Sequence, residues 1–195
     1  MQLPAAQNEV QASYDVFRTG PPPFIGSTAT KDELLKHVST AKLLHLSCHH
    51  LFDARAPFLS FLKLAGKSGA DFLYMFEVAE LKLAAELVSL SACNSAHSHI
   101  ESGDEQYGIV RAFLAAGARS VISTLWSVED SSASVFFTDL YRRVLRDGLA
   151  QALKMAQLRL LADPRYELPN FWAPYVLSGH WNHPLSFSDE NDASH

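Results

Sequence analysis

Two short apolar runs in this chain end on side chains able to do covalent chemistry. One is AKLLHLSCHH, Ala41 to His50, which closes on a cysteine and two adjacent histidines. The other is LVSLSACNSA, Leu87 to Ala96, which carries Cys93 past its apolar part. A thiol attacks well only when it is partly ionised. A nearby histidine brings that about by taking the thiol proton or by stabilising the thiolate as an imidazolium. The same histidine can then protonate a leaving amine. With backbone N–H groups aimed at the developing oxyanion, one Cys and one His suffice for acyl transfer. Cys93 stands where the chain must turn, so its own N–H is a candidate donor.

The elements that must position these groups follow from hydrophobic patterning. KLLHLSC, ELVSLSAC and RSVISTLW are short, apolar and bounded by polar residues, as buried strands are. TKDELLKHV opens on Thr30 with Glu33 three residues on, the spacing of a capped helix start. DEQYGIVRAFLAAGA reads as a helix with Gly117 at its C-terminal cap. SVEDSSASVFFTDLYRRVLRDG reads as a helix that starts with Ser127 and the acidic residues after it and stops near Gly148, and LAQALKMAQLRLLAD as another that is ended by Pro164. FLYMFEVAELKL reads as helical through Val78 and Leu81. FWAPYVLSG is strand-like, with Pro174 arguing for an edge. Strands alternating with helices imply an α/β fold with a mostly parallel sheet. Chemistry in such sheets collects at the carboxyl ends of strands, where both apolar runs terminate.

Composition narrows the function. The chain has 195 residues, enough for one domain, and a net charge of −5 with both signs interspersed. That balance gives no electrostatic case for nucleic acid or an anionic membrane as partner. MQLPAAQNEVQASYD lacks a basic start and an apolar core, so it is not a signal peptide. A cytoplasmic, reducing location with Cys48 and Cys93 as free thiols is the expectation. Strand alternation turns Cys48 away from the face that His49 uses, and it reads as a buried core thiol. His45, in mid-strand, reads as a satisfied core histidine.

The wording around these residues is similar to that of a known family. LVSLSACNSA resembles the cysteine motif of the CHAT domain, a caspase-like and separase-like family often joined to tetratricopeptide repeats. LLHLSCHHLFDARAPFLSFLKLA resembles its histidine motif, in which the His ends a strand and an extended polar loop follows. GIVRAFLAAGARSVISTLWSVEDSSASVFFTDLYRRVL, ALKMAQLRLL and FWAPYVLSGHW resemble its later segments, and GSTATKDELLKHV its entry to the histidine strand. The resemblance runs from about Glu9 to Trp181 in the right order. It implies a caspase-like three-layer sandwich with a mostly parallel sheet, occupying residues 1–184; the last stretch, 185–195, reads as a disordered tail from its polar composition. It also implies a Cys-His endopeptidase with no metal or organic cofactor. Cys93 aligns with the family's nucleophile and His49 with its general base and acid. The N–H groups of Cys93 and His50 are the expected oxyanion donors. By position in the fold, WSVED lines the pocket for the residue before the cut, with Trp126 as a wall and Asp130 favouring a basic side chain.

Two departures stand beside the resemblance. His50 occupies a position where the family usually has glycine, which tolerates backbone angles that histidine does not. CHAT domains also normally begin with further strands. A chain lacking them would need a repeat-containing region or a partner protein to cover its N-terminal sheet edge. A catalytically silent interaction or signalling module is therefore the alternative to a peptidase acting on a peptide or protein substrate. A third reading is metal binding by His45, Cys48, His49, His50, Cys93, His97 and His99, since zinc takes such ligands. No pair among them has the C-x-x-C spacing of a structural finger.

Overall fold

The computed structural model describes residues 4–17, 20–51, 53, 55–66, 69–91, 93–94, 104–182 and 185. In chain order the helices are α1 (Pro4–Phe17), α2 (Lys31–His37), α3 (Met75–Glu80), α4 (Asp104–Ala115), α5 (Asp130–Asp147), α6 (Leu149–Leu161) and α7 (Pro169–Trp172). The strands are β1 (Leu43–Leu46), β2 (His49–Leu51), β3 (Phe61–Gly66), β4 (Gly69–Tyr74), β5 (Leu87–Leu90), β6 (Cys93–Asn94), β7 (Ser120–Thr124) and β8 (Tyr175–Gly179).

The strands form two sheets. The main sheet has the order β1-β5-β7-β8, parallel except for the antiparallel edge strand β8. Pro174 lies just before β8, where its missing N–H costs no ladder bond. The smaller sheet has the order β4-β3-β2-β6, with β2 and β6 parallel and the remaining pairs antiparallel.

Alternate residues of the main strands feed two cores. Leu43, Leu87 and Ile122 face α5 and α6, where Phe136, Phe137, Tyr141 and Leu160 are buried. Leu44, Leu46, Val88, Leu90 and Val121 face the opposite way, onto Met75 and Val78 of α3 and Ile109 and Phe113 of α4. Leu62 and Leu73, from β3 and β4, join this second core. Helices thus cover both faces of the sheet, and the small sheet lies at its margin. This is the three-layer caspase-like arrangement expected.

Local signals behave as their chemistry dictates. Thr30 caps α2, accepting from the Glu33 N–H at 3.2 Å. The Glu33 carboxylate turns instead to Lys36, at 2.6 Å. Gly117 ends the helical segment at φ +111, and a Cβ there would stand 2.8 Å from the Leu83 carbonyl oxygen. α5 begins at Asp130 after an N-cap at Glu129, three residues later than its first polar residues imply.

Several stretches differ from what the sequence pattern implies. Phe72-Leu73-Tyr74, read as helical, belongs to β4, and the helix is confined to Met75–Glu80. Here the period-2 pattern wins: Leu73 is buried, while Phe72 and Tyr74 pair across to Lys63 and Phe61. Part of the polar loop expected after His50 is β3. Asp53 shapes the turn that precedes it, its carboxylate accepting from the Arg55 and Ala56 N–H groups at 2.9 and 3.1 Å. Leu185, the first residue of the stretch read as a tail, is buried in the first core. Residues 186–195 lie outside the described residues.

Candidate active site

β1 and β2 are one chain run interrupted at Ser47-Cys48, and β5 and β6 are another, interrupted at Ser91-Ala92. The two runs keep one register throughout. In the main sheet Leu43 pairs with Leu87; in the small sheet His49 pairs with Cys93. In both, the partner lies 44 residues on (43 to 87, 49 to 93). The Ser91 N–H donates to the Leu46 carbonyl at 2.9 Å and carries the pairing across the break. Parallel neighbours in such a ladder lie about 4.8 Å apart. The register therefore makes His49 and Cys93 direct neighbours, although 44 residues separate them.

Strand alternation assigns faces. His45 and His49 share the face that Leu43 turns toward α5, whereas Leu46 belongs to the opposite core. His45 is fully engaged there. Its Nδ1 lies 2.5 Å from the Tyr141 hydroxyl and its Nε2 lies 3.2 Å from Glu9 Oε2 of α1. Glu9, His45 and Tyr141 form a buried polar line between α1, β1 and α5, and burial pushes the Tyr141 hydroxyl well up.

His49 is placed differently. Its Nδ1 is buried with no hydrogen-bond partner among the described residues. Asp130, the first residue of α5, lies within its electrostatic reach. Burial raises the Asp130 carboxyl above the ordinary carboxylate range and the negative charge of Glu9 adds to this; His49 pulls it back down and Glu129 adds a little more upward push. Asp130 is thus as much a neighbour of the histidine as a wall of any pocket.

His50 points the other way. Its side chain is 3 % exposed, beside Leu62, its cross-strand partner. Its Nε2 is buried with no partner among the described residues, and burial lowers its pKa to about 4. It lies inside β2, in extended backbone that any residue adopts, so this position imposes no glycine-only conformation. The Cys48 thiol packs against the second core, and burial pushes it up to about 12.

Trp126 stands just past the carboxyl end of β7, 42 % exposed, with its indole N–H donating to the Asn170 carbonyl at 3.2 Å. Among the described residues no group of three or more His, Cys, Asp or Glu side chains is arranged to hold a metal. His97 and His99 lie outside the described residues. Among the described residues, no helix is long and apolar enough to cross a membrane. The sequence reading had no role for Glu9 in the His45 line. Its only signal was being one of two acids, with Asp15, on a helix that has no basic residue.

Comparison with known proteins agrees with the geometry. The family model for the CHAT domain matches residues 1–180. Tetratricopeptide repeat protein 28 from Homo sapiens is 23 % identical over 216 aligned positions, which cover 91 % of this chain and 8 % of that protein. The Mus musculus protein of the same name matches to the same extent. This chain therefore spans under a tenth of the length of the curated relatives it matches. With a family match over nearly its whole length, a caspase-like sandwich and the paired histidine and cysteine strands, the chain belongs to the CHAT domain family.

Proposed function

We propose that the chain is a caspase-like cysteine endopeptidase domain in which Cys93 is the nucleophile and His49 the general base and acid. The observation that carries this reading is the β2–β6 register, which pairs His49 with Cys93. His49 takes the Cys93 proton, and the thiolate attacks the substrate carbonyl. As the C–N bond breaks, His49 gives the proton to the leaving amine. Water then attacks the thioester, again through His49, and frees the thiol. The N–H groups of Cys93 and His50 hold the oxyanion. Asp130, close to His49, favours its imidazolium while the proton is in transit. Trp126 and Asp130 flank the side chain before the cut, and a basic residue there suits the carboxylate. The thiol chemistry suits a reducing, cytoplasmic setting. By analogy with the repeat proteins it resembles, the domain works beside a repeat-bearing region or partner.

A second reading, a silent interaction module, is favoured by one observation: the buried imidazole of His50 where the family usually has glycine. A panel of peptide electrophiles with basic and acidic residues before the reactive carbon separates the two. The peptidase labels at Cys93 alone, fastest with the basic probes. If the wild type stays unlabelled and His50→Gly becomes reactive, the silent module is the right description.

A further inference from the structure

The small sheet is buried on one side only. His50, Leu62 and Leu73 form its inner face, at 3 %, 0 % and 0 % exposure. The outer face carries the alternate residues. There His49 pairs with Lys63 and Lys63 with Phe72 in one row, and the register partner of His49 on the next strand is Cys93. The next row on that face runs Leu51, Phe61, Tyr74. The Phe61 ring centroid is 4.5 Å from that of Phe72 and 5.6 Å from that of Tyr74, so the three rings make one continuous aromatic surface. Leu51 and Lys63 are exposed, and the rings of Phe61, Phe72 and Tyr74 are partly so. An apolar surface left open beside reactive groups marks a binding surface.

Direction follows from the proton's path. If Cys93 attacks and His49 protonates the leaving nitrogen, the departing half of the substrate must lie on the His49 side of the nucleophile. Along the row, that side is β3 and β4. We infer that the aromatic face formed by Leu51, Phe61, Phe72 and Tyr74 receives the segment following the scissile bond and selects a large apolar or aromatic side chain there. This rests on the peptidase reading and gives it a substrate class. Phe72 lies two strands from His49, about 10 Å at ladder spacing, and an extended peptide covers that in about three residues. The selected side chain therefore falls within the first three positions after the cut.

The test uses quenched fluorescent peptides with one fixed sequence before the cut and Phe, Leu, Ser or Glu varied at each of the three following positions. Wild type is expected to cleave the best Phe or Leu peptide about tenfold faster in kcat/KM than its Ser counterpart. Phe72→Ser and Leu51→Ser should each reduce that ratio toward one. Labelling of Cys93 by an electrophile that ends at the reactive carbon should be unaffected, because such a probe has no segment after the cut. If Phe72→Ser fails to fold, Leu51→Ser at its exposed position carries the test alone. Normal labelling with turnover indifferent to these positions overturns this inference and leaves the dyad standing. Absence of His49-dependent labelling overturns the dyad and the inference with it. Indifferent turnover together with concentration-dependent dimerisation that Leu51→Ser abolishes assigns the face to a second copy of the chain instead.

Discussion

The two sheets are built from the same two chain runs, yet they live in different environments. In the main sheet, β5 and β7 are buried at every residue, and helices close both sides. In the small sheet one face is buried at His50, Leu62 and Leu73, and the other is open and aromatic. His45 and His49 show the contrast within four residues. His45 has both ring nitrogens committed, to Glu9 and Tyr141, and is held as structure. His49 sits one strand segment further on, beside Cys93, and its Nδ1 has no partner among the described residues. The main sheet fixes the register, and the small sheet carries it out beside an open face.

The largest effects should come from the closed side. Phe137→Ala removes a fully buried ring from the first core and should cost about 4 kcal/mol, measured by urea unfolding at neutral pH. A loss below about 1 kcal/mol would mean that the α5 face is loosely packed. Next is the inner face of the small sheet. The folded pKa of His50 is about 4 against an ordinary 6.5, so the unfolded chain takes up this proton first as pH falls. The stability contribution is complete above about pH 6.5 and declines down to about pH 4, by about 3 kcal/mol in all. His50→Leu should flatten that part of the pH–stability curve, and an unchanged slope would show that His50 is solvated.

Breaking the buried polar line comes third. His45→Ala strands Glu9 and the Tyr141 hydroxyl and should cost about 2 kcal/mol. It should leave the reactivity of Cys93 intact in the folded fraction; loss of that reactivity would make His45 part of the chemistry. The smallest effect belongs to the open face. Leu51→Ser should change stability by less than about 0.5 kcal/mol, because the side chain is exposed. A larger loss would mean that the aromatic face is covered in the free protein.

Much of this contrast was legible in the residues. The strands KLLHLSC, ELVSLSAC and RSVISTLW are uniformly apolar because parallel strands covered on both faces need no polar side. Thr30 and Gly117 marked helix ends through chemistry that is local. The β3–β4 hairpin was harder to see, because Phe, Leu and Met serve either a helix or a strand, and only pairing with Phe61 and Lys63 decides for Phe72 and Tyr74. The same ambiguity hid the aromatic face. The neighbourhood of His49 and Cys93 depends on the register between two distant runs, which no local pattern contains. Here the resemblance to the CHAT motifs supplied what periodicity could not. Glu9 was invisible for a related reason: its partner His45 lies 36 residues away on another layer.

The most direct test of the central claim is the rate at which a basic peptide electrophile labels Cys93 at pH 7.5, compared between wild type and His49→Ala, with Cys48 as the internal control. The account predicts rapid labelling of Cys93 in the wild type and a loss of at least a hundredfold in the variant. It also predicts no labelling at Cys48 in either folded protein, since burial holds that thiol at about 12. Equal rates at Cys93 with and without His49, in two equally folded proteins, would contradict it.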